Sequence, residues 1–87
     1  MAEQGNPVAL TPRVFWAIYR SPAGAPAPFY AARWEALPGG NSMHGWPMYA
    51  ASEEAAEKLV PRDRCEEMPP STAAAESPDV LSVWRER

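Results

Sequence analysis

Side chains that commonly carry out chemistry are scarce in this chain. Its 87 residues contain a single cysteine, Cys65, and a single histidine, His44. One cysteine excludes an internal disulfide and is typical of a reducing compartment. No local motif supports a Cys–His pair across the 21 positions between them, and one of each is too few for a four-coordinate zinc site. We therefore expect no catalytic residue, no metal site and no cofactor.

Long apolar runs and phosphate-binding loops are missing as well. No apolar stretch approaches the roughly 20 residues that cross a bilayer, and Gly39-Gly40 belongs to neither glycine-rich nucleotide pattern. The first residues, MAEQGNPVALTPR, include an acid at position 3 and lack the apolar core of a signal peptide. We expect residues 1–12 to be a flexible tail and the protein to be cytoplasmic, with no membrane contact.

Aromatic residues and proline are abundant instead. Four tryptophans, three tyrosines, two phenylalanines and eleven prolines occur in this short chain. An aromatic side chain buries roughly 150–250 Å², so the nine rings must supply much of the burial available to one small domain. They are densest in residues 14–37, where the runs VFWAIYR and FYAARWEAL flank eight turn-type residues. This pattern predicts a β-hairpin with a long, stiff loop.

The second run of the hairpin is more amphipathic than the first. Tyr30 and Trp34 alternate onto one face, and Phe29, Arg33 and Glu35 onto the other. Because a face that carries charge is easier to hydrate, we expect Tyr30 and Trp34 to point into the core.

One short helix is predicted after the hairpin. Ser52 is a suitable N-cap, two glutamates follow where the helix dipole favours acids, and Pro61 ends the helix after about two turns. A short third strand, Met48–Ala51, is predicted before it. The last run, Asp79–Glu86, alternates as a strand that we expect beside the first one.

These elements predict a single α+β domain over residues 13–87. Residues 61–78 contain charges, Pro69-Pro70 and little periodicity, so a long irregular loop is expected there, and the alternative over Thr72–Glu76 is a single helical turn. The predicted order is ββ(β)αβ, a small and mostly antiparallel sheet with one short helix on one face.

A single two-turn helix shelters about one face of such a sheet. The opposite face is expected to carry Phe15, Tyr19 and Phe29, with Arg33 and Glu35 at its rim. An exposed patch of this kind marks an interface, either with a second copy or with a different protein. The alternative is that the N-terminal tail or the loop before the last strand folds over these rings.

Charge is unevenly distributed along the chain. Residues 53–79 carry eight acids against three bases, a net charge of −5, whereas residues 1–52 carry +1. The acids considered for a partner contact are Glu53, Glu54, Glu57, Asp63, Glu66 and Glu67. A solvated helix face explains them, and the alternative is an acidic patch that docks on a basic protein, such as a nucleic-acid-binding subunit. Direct nucleic-acid binding is not expected of a chain with this overall sign.

The residues therefore predict a small, non-catalytic protein-binding module. In its size, its lack of catalytic motifs and its Ala-, Pro- and Arg-rich composition, the chain resembles short accessory proteins of phages and mobile elements, anti-CRISPR-type inhibitors among them. The resemblance implies a protein that blocks a host defence complex, of the CRISPR-Cas kind, by occupying its surface. The first alternative is a structural subunit that forms a homodimer through the second sheet face. The second is a single-stranded nucleic-acid binder that uses aromatic residues of the sheet.

Overall fold

A computed structural model describes residues 13–87, without the side chains of Ala74 and Ala75, so the predicted tail at residues 1–12 lies outside the described residues. Residues 13–87 form five strands, two short helices and a 3-10 turn. In order they are β1 (Arg13–Arg20), β2 (Phe29–Leu37), β3 (Gly40–Ala50), α1 (Glu53–Leu59), the turn Arg62–Arg64, β4 (Cys65–Glu67), α2 (Pro70–Glu76) and β5 (Val80–Glu86). The α+β class is as predicted, but the observed order includes β4 and α2 in addition.

All five strands belong to one antiparallel sheet with the order β3-β2-β1-β5-β4. β1 lies at its centre, between the strand that follows it and the last strand of the chain. This position explains why β1 is apolar on both faces, since a central strand has cover on each side. The expected placement of the last strand beside β1 is confirmed.

The structure corrects the prediction of an irregular loop over residues 61–78. Three residues of this segment pair with β5 as β4, and α2 follows directly. Pro70 occupies the start of α2, where its fixed φ suits a helix and its missing N–H is not needed. The backbone N–H of Met68 also donates to the Val83 carbonyl over 2.8 Å, which ties the connection to the sheet. Each element is too short to produce a clear hydrophobic period in the sequence.

The third strand is also longer than predicted. A two-residue turn, Pro38-Gly39, leads straight from Leu37 into its partner Gly40, so β3 begins at Gly40 and not at Met48. Its register with β2 shifts where three residues, 45–47, lie opposite Ala32 alone. This bulge includes Gly45 at a φ of 82°, a conformation that favours glycine.

The helices cover opposite faces of the sheet, named here the α1 face and the α2 face. The predicted cap of α1 is confirmed, because the Ser52 hydroxyl accepts a 3.0 Å hydrogen bond from the Ala55 N–H. The buried cluster of the α1 face comprises Trp16, Ile18, Ala31, Ala50, Ala56, Val60 and Cys65. The buried cluster of the α2 face comprises Ala17, Ala73, Val80 and Val83.

The expected orientation of β2 is wrong. Tyr30 pairs with Tyr19 and Trp34 with Phe15, and residues directly opposite on neighbouring strands point to the same face. Tyr30 and Trp34 therefore lie on the α2 face with Tyr19 and Phe15.

The other side of β2 consequently lies on the α1 face. Phe29 packs there against the buried cluster instead of joining Phe15 and Tyr19. Arg33 and Glu35 tolerate this face because the seven residues of α1 do not cover the whole strand, and both side chains keep 27% of their surface exposed.

Candidate functional site

Cover on the α2 face is uneven. α2 packs chiefly on β5, where Ala73 and Met68 contact the apolar side chains that β5 and β1 present. Toward β3, the side chains of the same face become accessible, with Met43 36% and Tyr49 42% exposed. Within residues 13–87, no helix packs over this half of the face as α2 does over β5. The open half is therefore formed by β2 and β3.

Two rows of large side chains run across the strands of this face. Phe15 and Trp34 stack with ring centroids 6.3 Å apart and an interplanar angle of 8°, and Met43 is the next residue in the register. The residues that β2 and β3 contribute to this row and to the second row, described next, are named here the aromatic surface. They are Tyr30, Trp34, Met43 and Tyr49.

The second row is a run of three tyrosines. Tyr19 and Tyr30 stack at 4.6 Å, and Tyr30 meets Tyr49 at 5.6 Å with a tilt of 54°. Burial raises the pKa of Tyr19 to about 12 and also raises that of Tyr30. At neutral pH these phenols are therefore uncharged, and the row behaves as a largely apolar surface.

Trp46 is the most exposed large apolar side chain of the described residues, with 88% of its surface accessible. It lies in the β3 bulge between Gly45 and Pro47. An indole buries roughly 150–250 Å² when covered, which corresponds to about 4–6 kcal/mol before the costs of association are subtracted. Bulges commonly redirect a side chain at the edge of a sheet, so the backbone here presents Trp46 to solvent.

Sequence reasoning did not single out Trp46 as a binding residue. The signal available was the tripeptide Gly45-Trp46-Pro47, a large ring between a residue that accepts positive φ and one that cannot donate to a strand ladder. That combination indicates a bulge that displays the central side chain.

The predicted binding residues of the hairpin do not form one surface. Phe15 and Tyr19 are half-buried on the α2 face and contact the cluster around Ala73, between the covered and open halves. Phe29 lies beneath α1 on the other face. Of these three rings, Phe15 and Tyr19 thus border the aromatic surface and Phe29 does not.

Arg33 and Glu35 belong to a cluster of polar groups on the α1 face. Arg33 approaches Glu35 at 3.5 Å and Glu86 at 3.9 Å, and the Trp16 indole N–H donates to Glu86 over 2.9 Å. The Nδ1 atom of His44 lies 3.7 Å from the same oxygen of Glu35. These charges have partners inside the chain, which reduces their availability for a second protein.

The six acids occupy two parts of the molecule. Those on α1, which packs over β1, β2 and β3, are Glu53 and Glu54, both exposed, and Glu57, half-buried. Those at the far edge of the sheet are the exposed residues Asp63, Glu66 and Glu67. Glu66 pairs there with Arg85 at 3.2 Å.

Cys65 and His44 lie at opposite edges of the sheet. Four strand spacings separate β4 from β3, roughly 19 Å at about 4.8 Å each. Cys65 is 2% exposed, and burial raises the pKa of its thiol, which keeps it protonated and weakly nucleophilic. The His44 side chain is 61% exposed. The fold therefore does not bring this thiol and imidazole together.

A shallow groove runs along α2 beside the sheet. One pocket of this groove, about 200 Å³, is lined by Phe15, Tyr19, Trp34 and Glu76 among others. The Trp34 indole nitrogen is buried and has no acceptor in bonding geometry among the described residues. The groove thus adjoins the aromatic surface.

Comparisons with protein-family models, curated proteins and solved structures gave no match. Among residues 13–87, no three His, Cys, Asp or Glu side chains are grouped so that they could hold a metal ion. None of the helices in that range has the length and apolar character to cross a bilayer.

Proposed function

We propose that this protein is a binding module that recognises another protein through the aromatic surface and Trp46. The observation that carries the proposal is the exposure of Trp46, beside Met43 and Tyr49 on the same strand. Tryptophan and tyrosine are the residues that most often dominate the energy of protein interfaces. Large apolar side chains grouped on an open sheet face are also typical of an interaction site.

The rings of this surface are held in place before any partner arrives. Tyr30 and Trp34 are half-buried and stacked on rings of β1, so their rotamers are fixed by packing. Side chains that are already ordered lose little conformational entropy on binding. This arrangement supports binding by surface complementarity, without a chemical step.

The aromatic surface favours a partner with an apolar pocket, and the acids of the opposite face favour a partner that is basic where it reaches α1. β3 itself contains no Asp, Glu, Lys or Arg, whereas Glu53 and Glu54 are exposed on the helix that packs over β2 and β3 from the other face. A basic, nucleic-acid-binding subunit in the cytoplasm matches this charge. The resemblance to phage inhibitors suggests a host defence complex as the first target to try, with occupation of its surface as the mode of action.

The test compares proteins captured from a bacterial lysate by the wild type with those captured by Trp46→Ala and Tyr49→Ala. Leu59→Ala is the matched control, because Leu59 is an exposed apolar residue on α1. We expect a specific partner whose affinity falls at least tenfold, about 1.4 kcal/mol, with Trp46→Ala and remains unchanged with Leu59→Ala.

Melting temperatures of the variants separate binding from folding. Trp46→Ala should melt within about 2 °C of the wild type, since the side chain has few contacts to lose. If every protein captured specifically by the wild type is captured equally by Trp46→Ala and Tyr49→Ala, the proposed surface is wrong.

A further inference from the structure

The outer edge of β3 differs from ordinary sheet edges. Within residues 13–87, β3 pairs with β2 alone, and its first five residues, 40–44, are all exposed. Natural edge strands are usually short, charged or interrupted by proline, which prevents pairing with another chain. The stretch 40–44 has none of these protections, because the bulge and Pro47 come after it.

We propose that residues 40–44 pair antiparallel with the same residues of a second copy of this chain. The product is a two-fold dimer in which two five-stranded sheets join into one. This pairing uses the edge of β3, whereas the proposed function uses the face of β2 and β3, so neither depends on the other.

The backbone supplies the main attraction. Alternate residues of an antiparallel edge direct both N–H and C=O outward, and each hydrogen-bonded pair exchanges two bonds. Five paired residues therefore form about four to six intermolecular hydrogen bonds. The pairing stops at His44, because Gly45 changes the backbone direction and Pro47 has no N–H to donate.

Charge is the reason to expect a second copy instead of an unrelated strand. In a two-fold antiparallel pair, the central residue faces its own copy, so a charged residue at the centre meets a like charge. No residue of β3 is Asp, Glu, Lys or Arg. In this pairing, which is centred on Ser42, Ser42 faces its own copy, Asn41 faces Met43 and Gly40 faces His44, and none of these contacts opposes two fixed charges.

The other edge shows the contrast. β4 has three residues, and two of them are Glu66 and Glu67. Self-pairing of β4 would bring these carboxylates together, which is destabilising. Of the two edges that the structure describes, only β3 is suited to meet itself.

A dimer would also enlarge the aromatic surface. Met43 belongs to that surface, and pairing at residues 40–44 places it opposite Asn41 of the second copy, on the same face of the joined sheet. The two open faces then become continuous across the seam. The contact area of five residues is small compared with the 1,200–2,000 Å² of standard interfaces, so we expect weak, concentration-dependent association.

The test is sedimentation equilibrium of the wild type, Ser42→Lys and Ser71→Lys. Ser42 is exposed on β3 and lies opposite Glu35 of β2, so a lysine is tolerated in the monomer. Ser71 is exposed on α2 and gives a control with the same change of charge. Circular dichroism checks that both variants keep the fold.

We expect the wild type and Ser71→Lys to shift with concentration from 9.6 kDa toward twice that mass, up to about 500 µM. Ser42→Lys should weaken the association at least tenfold. Amide hydrogen exchange at residues 40–44 should slow as the wild-type concentration rises. A wild type that stays monomeric, a Ser42→Lys that associates like Ser71→Lys, or a species larger than a dimer would each overturn the proposal.

Discussion

The two ends of the sheet have opposite characters. At one end, β4 is three residues long and carries two carboxylates. It pairs with β5, on which the helix α2 also packs. At the other end, β3 is eleven residues long, carries no Asp, Glu, Lys or Arg, and displays Met43, Trp46 and Tyr49 to solvent. The short, charged β4 end is unsuited to contact with another chain, whereas the long, uncharged β3 end is suited to it.

The difference follows from how little helix the described part of the chain, residues 13–87, provides. Each helix has seven residues, and isolated helices of that length are unstable, so both exist because they pack on the sheet. α1 packs over β2, β3 and β1, while α2 packs mainly on β5. Within residues 13–87, the α2 face of β2 and β3 is left without a helix, and the exposed rings of Tyr49 and Trp46 lie there and in the adjacent bulge.

The largest effect is expected from a comparison of β1, at the centre of the sheet, with β3, at its open end. The comparison tests whether the stability of the fold depends mainly on β1. Ile18 is fully buried in β1, and Ile18→Ala should lower the free energy of unfolding by about 2–5 kcal/mol through lost contacts and a residual cavity. Trp46→Ala removes a larger side chain yet should cost less than about 0.5 kcal/mol. Urea unfolding of both variants measures the two values. Equal losses would mean that Trp46 packs within the monomer, which contradicts the contrast.

An intermediate effect is expected at the boundary between the two halves, where Tyr19 lies. Its pKa is about 12 in the folded protein against an ordinary value of 10.0. Below pH 10 the Tyr19 hydroxyl is protonated in both the folded and the unfolded state, so the ionisation of Tyr19 does not lower the free energy of unfolding. Between pH 10 and about 12 only the folded state holds the proton, so stability falls as pH rises, by roughly 1–2 kcal/mol after allowance for partial exposure.

Alkaline unfolding followed by circular dichroism measures this loss. Tyr19→Phe should flatten the part of the profile that Tyr19 causes, while Tyr30, whose pKa burial also raises, leaves a residual slope. An unchanged profile in Tyr19→Phe would show that the Tyr19 ring is hydrated and that the open half extends to β1.

The smallest effect is expected at the β4 edge. Glu66 and Arg85 form an ion pair whose side chains are both about half exposed, and such pairs contribute roughly 0.2–1 kcal/mol. Glu66→Gln should therefore lower the melting temperature only slightly, and less so in high salt. A large drop would mean that charge, and not backbone pairing and the burial of Cys65, holds β4 in place.

Signals within short stretches of sequence were enough to predict three of the strands and the first helix. Alternating aromatic runs located β1, β2 and the last strand, and the cap at Ser52 with Pro61 located α1. β4 was missed, and α2 was considered only as a single helical turn at Thr72–Glu76, because three- and seven-residue elements are too short to show a period.

Which side chains of β2 point to which face of the sheet depends on its register with β1. The alternation of residues within β2 does not determine that register. Hydration favoured placing Arg33 and Glu35 on an open face, but the register with β1 places them on the α1 face, where Glu86 partners Arg33. Register is set across strands, by pairs such as Tyr19 with Tyr30, so one strand read alone does not determine it.

The sequence predicted that aromatic residues would be exposed, but it did not predict which ones. Counting rings against one helix predicted exposed aromatics, and the structure exposes Tyr49 and Trp46, whereas the expected Phe29 is covered by α1. Trp46 depends on a bulge that arises only when β3 pairs with β2 through a shifted register. The second helix, absent from the predicted order, covers the part of the face nearest β5.

The central position of β1 has a consequence for how the chain folds. Trp16 of β1 donates a hydrogen bond to Glu86, 70 residues further along the sequence. The hairpin of β1 and β2 can form early from neighbouring residues, but the middle of the sheet closes only when the last strand arrives. Such distant pairing lowers folding rates, so one side of β1 stays unpaired in the nascent chain until β5 has been synthesised.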